Sequence, residues 1–334
     1  MILVTGGTGL VGSHLLAELV QSGKSVRAIK RNSSNMSLVK QQIPDTVLFA
    51  KIEWVEADVL DVYSLSEAME GVTDIYHCAA TISFNPADVA DMMKVNIEGT
   101  ANVINMALEK GVKKICHVSS IAAIGKALND ETVTEKTPWK TSPNNSNYAI
   151  SKYGSEREVW RGTMEGLDAV IVNPSVIIGP GDWNTGSSKM FKQAYTGLKF
   201  YTSGINGFVD VRDVCKTMIM LMESDIKNER FIVSSENYPF REFFDNACLN
   251  FGKPLPSIKA SPLLGSLTWR AEAVRSFFTG SKPLITKETA RSANQQYYYS
   301  NEKIKKALNF EFISVKQSIK DTCGYFLKFM NYKF

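Results

Sequence analysis

The segment Thr5-Gly6-Gly7-Thr8-Gly9-Leu10-Val11-Gly12 constrains this chain more than any other. It follows an apolar run at residues 2–4 and precedes residues 10–20, whose apolar side chains recur at helical spacing until the chain turns near Gly23. Glycines at 6, 9 and 12 permit a tight turn and let backbone approach a phosphate with no Cβ in the way. A helix that starts there offers unpaired amides and a partial positive charge. Strand, glycine turn and helix in that order predict a pyrophosphate site carried by Gly6, Thr8, Gly9, Leu10, Val11 and Gly12.

The rest of the first half repeats the alternation. Residues 26–29, 54–55, 74–78 and 114–118 read as strands, while 65–69 belongs to a helix and 92–110 is helical up to Gly111. Such β-α-β order predicts a parallel sheet covered on both faces, with ligands at the carboxyl ends of its strands. The polar clusters fall at those ends: residues 5–12, 30–34, Asp58 and Ser119-Ser120. From about Gly179 the alternation weakens. We expect a dinucleotide-binding domain at 1–178 and a mainly substrate-binding lobe at 179–334. Strands near 170–173 and 231–233, and more broadly a segment at about 207–235, are expected to return to the first domain.

The end of the second strand sets the cofactor. A carboxylate there would accept from a ribose 2′-hydroxyl and repel a 2′-phosphate, yet residues 26–34 read VRAIKRNSS, with no acid. Guanidinium pairs bidentately with phosphate, so Arg31, beside Lys30, is the expected 2′-phosphate ligand. NADP(H) is therefore the expected cofactor, with NAD(H) possible and a merely solvated basic loop as the alternative. Asp58 is placed to bond the adenine amino group, and Val59 to cover the ring.

Tyr148-Ala149-Ile150-Ser151-Lys152 places a phenol and an ammonium at i and i+4, on one helix face. A free tyrosine titrates near 10 and is a poor acid–base at neutral pH; a neighbouring cation favours phenolate. Ser120, closing a strand 28 residues before Tyr148, can donate to a carbonyl oxygen. These three side chains are the expected catalytic group, with Ser120 favoured over Ser119 by its spacing from the residues that follow.

With these motifs the chain resembles the extended short-chain dehydrogenases/reductases of the NAD-dependent epimerase/dehydratase superfamily, in particular the dihydroflavonol 4-reductase-like branch. The resemblance also rests on His77-Cys78-Ala79-Ala80, residues 95–100 (VNIEGT), 173–181 (NPSVIIGPG) and 209–214 (VDVRDV), a KPLIT segment at 282–286, and a C-terminal helix. It implies a Rossmann-type doubly wound parallel sheet with a smaller C-terminal α/β lobe. It implies Tyr148 as proton donor, Lys152 on the nicotinamide ribose, Ser120 on the carbonyl, and Asn96 holding the central helix and a water. Ala79, Ala80, Pro174, Val176 and Ile177 would line the cofactor. Ile124 stands where relatives often carry a tyrosine.

The reaction expected is hydride transfer from NADPH to a ketone or aldehyde. A nucleotide-sugar epimerase or dehydratase with retained NAD is the alternative, and a non-catalytic NADPH-binding scaffold or sensor a third. The basic residues at 30–31 and the Ile205-Asn206-Gly207 sequence, where sugar-nucleotide enzymes usually carry an arginine, favour the reductase. Phe84, Ile121 and Trp183 are candidate substrate contacts, with Trp183, Phe191, Tyr195 and Phe200 a possible apolar wall.

The 334 residues leave room for these two units, and a net charge of +4 from interspersed residues argues against a nucleic-acid partner. Five scattered cysteines without a CxxC fit reduced thiols in the cytoplasm, and three isolated histidines argue against a metal. No signal peptide or membrane span is expected. A small carbonyl or alcohol is the expected partner, with a homodimer through helices at 92–110 and 147–163 as the family would suggest.

Overall fold

Strand and helix alternate through the first 118 residues because short β-branched runs are separated by amphipathic stretches ended by glycine. The computed structural model describes residues 1–125, 131–260, 269–270, 272, 275 and 293–331. Its strands are β1 (Ile2–Thr5), β2 (Val26–Lys30), β3 (Ile52–Glu56), β4 (Asp74–His77), β5 (Lys114–Val118) and β6 (Asp168–Pro174), followed by β7 (Val176–Ile178), β8 (Phe200–Tyr201), β9 (Ile205–Asp210), β10 (Glu229–Val233), β11 (Glu236–Pro239) and β12 (Ile258–Lys259). Seven of them form one sheet in the order β10-β6-β5-β4-β1-β2-β3, parallel throughout. Strand order reverses between β1 and β4, which opens a crevice at their carboxyl ends.

The helices are α1 (Leu10–Gln21), α2 (Ser37–Gln42), α3 (Thr46–Ala50), α4 (Val62–Ala68), α5 (Val89–Met93), α6 (Gly99–Glu109), α7 (Asn147–Met164), α8 (Ser188–Thr196), α9 (Val211–Glu223) and α10 (Phe240–Asn250), then Glu302–Leu308 and Val315–Asn331, and the large sheet is covered on both faces. On one face Leu15, Leu16 and Leu19 of α1 pack with Val214 and Met218 of α9; on the other Val103, Ile104 and Val159 pack with Leu65. Burying each such side chain stabilises the fold by about 1.5–3 kcal/mol.

The segment at 205–235 divides between layers. β10 pairs with β6 in the large sheet and α9 lies on it, whereas β9 joins β7 and β11 in a separate three-stranded sheet. The second lobe has its own aromatic core of Phe191, Phe208, Phe243, Phe326 and Trp183.

One element departs from the sequence expectation of a continuous helix at 92–110. Between α5 and α6, residues Lys94–Glu98 form a π-helical turn. An inserted residue of this kind leaves the apolar rhythm on both sides intact, so periodicity does not register it. The KPLIT segment at 282–286 lies outside the described residues. The expected C-terminal helix is Val315–Asn331, tied to the end of β9 by the Ser318 hydroxyl, which donates to Asp210 at 2.6 Å.

Candidate active site

The glycine turn closes tightly between β1 and α1. Gly6 has φ +66°, and a Cβ there would stand 2.5 Å from the Ala79 amide nitrogen; a Cβ on Gly12 would stand 2.3 Å from the Gly6 carbonyl oxygen. Only hydrogen fits at either place. Helix α1 has no side-chain cap and no acid in its first turn, and Ser13 is the first of its amides to bond back, to Gly9 O at 2.9 Å. The amides of Leu10, Val11 and Gly12 therefore face the crevice, a cradle that fits a pyrophosphate.

The other cofactor candidates ring the same edge. Lys30 ends β2, and exposed Arg31 begins a turn closed by Ser34, whose hydroxyl accepts the Arg31 amide at 3.0 Å. Asp58 follows β3, with Oδ1 accepting the Leu60 amide at 2.9 Å; buried Val59 fills the space that Gly99 leaves by lacking a side chain. Ala79 and Ala80 follow β4, and the Ala79 amide donates to Thr5 Oγ1 at 3.2 Å. Pro174 ends β6, with Val176 and Ile177 in β7 just beyond.

Asn96 sits in the π turn, fully buried. Its Oδ1 accepts the Thr81 amide at 2.7 Å, and its Nδ2 donates to Thr81 O and Ser151 Oγ, both at 2.9 Å. One amide thus staples the loop after β4 to α7, the helix that carries Tyr148 and Lys152.

Ser120 follows β5, and its Oγ accepts the Ala122 amide at 3.1 Å, which leaves its proton free to donate. Burial raises the pKa of the Tyr148 phenol, and the Ser120 hydroxyl partly opposes that rise. Ser119 points the other way: its hydroxyl donates to Glu156 Oε2 at 2.8 Å. Lys152 is buried and donates to Val118 O at 2.8 Å. Burial brings its pKa down to about 8, with Glu156 and Cys78 pulling upward. The neighbouring Cys78 thiol is pushed up to about 12 by burial, so it stays protonated at neutral pH.

On the substrate side, the Phe84 ring meets Tyr148 edge-on at 5.8 Å, and Phe84 keeps 39% of its surface open. Ile121 stands half-buried in the turn after Ser120. Trp183 corrects the sequence reading. It is 5% exposed and wedged edge-on against Phe326 at 4.9 Å and Phe191 at 6.5 Å, so its ring builds the lobe's core. Phe191 is fully buried and Tyr195 packs on Phe251 and Phe326, so of the expected wall only Phe200 is exposed. Aromatic composition marks a lobe but not which face of each ring is covered.

Sequence reasoning missed Glu156 and Arg230. Glu156 is 2% exposed, its Oε1 2.9 Å from Arg230 Nη1, and its Oε2 accepts from Asn173 Nδ2 at 2.9 Å as well as from Ser119. The available signal was a carboxylate one turn beyond Lys152 on the same face.

Fold and site together define an NAD(P)-dependent oxidoreductase acting at a carbonyl or alcohol carbon. The chain belongs to the NAD-dependent epimerase/dehydratase family, whose profile it matches over residues 2–234. It is 30% identical over 332 residues to a putative dihydroflavonol 4-reductase of Synechocystis, covering 97% of this chain and 93% of the relative. It is 27% identical over 330 residues to sterol demethylase protein B of Methylococcus capsulatus, covering 97% of each. Among solved structures, that of gox2253 superposes with a TM-score of 0.82 at 29% identity over 98% of both chains. No described helix is long and apolar enough to cross a membrane, and no group of three or more metal-ligating side chains occurs among the described residues.

Proposed function

We propose that this chain uses NADPH to reduce a ketone or aldehyde, with Tyr148 as the proton donor. The observation that carries the reading is the Ser120 hydroxyl acting on the Tyr148 phenol, with Lys152 buried one turn further along α7, at the crevice into which the free amides of α1 open. When bound, the nicotinamide supplies the hydride to the carbonyl carbon. Ser120 and Tyr148 both donate to the carbonyl oxygen, and the phenol gives up its proton as negative charge develops there. Lys152 lies one helical turn on, where its ammonium stabilises the phenolate and reaches the nicotinamide ribose. Lys30 and Arg31 stand where an adenosine 2′-phosphate would arrive, with no acid between 26 and 34 to repel it.

Exposed Ile82 and Phe84 and the half-buried Ile121 give the substrate side an apolar surface. That surface, together with the flavonol and sterol in the relatives' names, supports a carbonyl borne on a largely apolar ring system. A panel of such carbonyls followed at the nicotinamide absorbance tests the proposal. Turnover with NADPH is expected, and Tyr148→Phe is expected to lower it roughly 100- to 10,000-fold without weakening NADPH binding. Unchanged turnover in that variant would remove Tyr148 from its role. The family's other chemistry is epimerisation and dehydration, so the purified protein is also to be denatured and its released nucleotide identified. Stoichiometric NAD would favour that chemistry over reduction.

A further inference from the structure

Behind the catalytic group, on the side away from the crevice, α7 carries a carboxylate with no place in the mechanism above. Tyr148, Lys152 and Glu156 are spaced at i, i+4 and i+8, so they share one helix face, and Glu156 points into the protein. A buried carboxylate is costly unless it is paired and fully hydrogen-bonded. Glu156 meets that requirement from three elements. Arg230 of β10 pairs with Oε1 at 2.9 Å; Ser119, after β5, and Asn173 of β6 donate to Oε2 at 2.8 and 2.9 Å. Trp160 adds a longer contact from Nε1 at 3.4 Å.

Two of these partners lead straight to the catalytic residues. Asn173 Nδ2, which holds Glu156, also donates to the Ser120 carbonyl oxygen at 2.9 Å, and Ser119 is the residue before Ser120. The strand end that aims the Ser120 hydroxyl is thus fastened twice to this one carboxylate. Arg230 in turn is anchored by its other nitrogens to the Glu135 carbonyl oxygen, so the acid cannot swing out of place.

The surroundings of Lys152 give the same carboxylate a second effect. The groups that act on the ammonium are Glu156 on its own helix, His77 and Cys78 at the end of β4, and His117 of β5. The imidazoles of His77 and His117 are buried and stacked at 5.1 Å. His77 titrates down at about 3 and His117 well below its usual range, so both are neutral. Cys78 is protonated. Within this set it is the Glu156 carboxylate that most strongly pulls the Lys152 pKa back up against burial.

We propose that Glu156 is a positioning residue for the catalytic group: its buried carboxylate keeps Lys152 as an ammonium and, through Ser119 and Asn173, fixes the strand end that presents Ser120. The proposal rests on the assignment of Ser120, Tyr148 and Lys152 as the catalytic group, but its first test needs no turnover. Protein labelled with ¹³C at lysine Cε is titrated by NMR without nucleotide, and the Lys152 resonance is assigned by its loss in Lys152→Met. Glu156→Gln is expected to move the Lys152 titration to lower pH by about one unit, a tenfold change in the ammonium-to-amine ratio. An unmoved titration in a folded Glu156→Gln protein overturns the proposal.

Where the single variant fails to fold because Arg230 is left unpaired, Glu156→Gln with Arg230→Met removes both charges; a downward shift is still expected, smaller because the opposing guanidinium charge goes as well, and no downward shift overturns the proposal. With a substrate in hand, the alkaline fall of kcat is expected to move down by the same amount in the variant. A general loss of activity at every pH, with no change in the profile's shape, would show a merely structural role. If the Lys152 shift appears and no carbonyl is reduced by the wild-type protein, the reductase reading fails and the electrostatic assignment stands.

Discussion

Two serines, adjacent in sequence, face opposite ways at the end of β5. Extended backbone at Ser120, with φ −163° and ψ 154°, turns its hydroxyl to Tyr148, while Ser119 serves Glu156. Ser120→Ala is therefore expected to lower kcat at unchanged stability and Ser119→Ala to lower the unfolding temperature, read from steady-state rates and thermal unfolding. Burial brings Lys152 down to about 8, and the proposed mechanism uses its ammonium, so turnover is expected to hold at lower pH and to fall as pH rises through 8. A flat rate from pH 7 to 10 would contradict that dependence. At the cofactor rim, Arg31→Ala is expected to weaken NADPH binding at least about tenfold and leave NADH nearly unchanged, read by fluorescence transfer from tryptophan, because one charge-assisted bidentate contact contributes about 1.5–3 kcal/mol. Equal losses for both nucleotides would place the 2′-phosphate elsewhere.

At the scale of elements, the glycine turn and the π turn both position backbone rather than side chains. Gly12→Ala would drive a Cβ into the Gly6 carbonyl oxygen, which is backbone and cannot rotate aside. The expected result is a destabilisation of roughly 1–3 kcal/mol together with loss of nucleotide binding, measured by thermal shift with and without NADPH. Full binding with wild-type stability would mean that the turn is looser than its geometry indicates. The π turn bulges the chain at Asn96, so that its amide reaches both Thr81 and Ser151. A regular α-helix would carry residue 96 round to a different face.

Across the whole molecule, the C-terminal helix and the chain that leads into it are held against β9 and α9 by a small acidic clamp. Asp213, at the start of α9, accepts the Ile313 amide at 2.8 Å, while Arg212 bridges Asp210 and Asp321. Burial raises Asp213 to about 6. Its folded-state pKa lies above its unfolded value, so the folded protein binds the proton more tightly and stability falls as pH rises from about 4 to 6. Asp213→Asn keeps an acceptor for Ile313 without the charge. It is expected to be more stable than wild type above pH 6, by about 1 kcal/mol after solvent screening, with the difference vanishing near pH 4. A constant difference across that range in urea unfolding would contradict the assignment. A second expectation at this scale is pairing of two chains through the outer faces of α6 and α7, where Ile150 is 40% exposed. Ile150→Arg is then expected to sediment as a monomer at concentrations where wild type is a dimer.

How much of this was legible in the residues follows from the range of each interaction. Glycine spacing, strand runs and the Tyr148–Lys152 interval are local, written within one turn or one strand, and they determined the parallel sheet, the tight turn before α1 and the places along the chain of the residues proposed as catalytic. The Glu156–Arg230 pair joins residues 74 apart, and Ser119's choice of Glu156 depends on where α7 crosses β5, so no window of sequence contains them. The burial of Trp183 against Phe326 likewise needed the C-terminal helix to fold back across 143 residues. Local chemistry named the parts of this site; which way Ser119, Trp183 and Glu156 face was decided only by packing, because burial and charge pairing depend on neighbours far away along the chain.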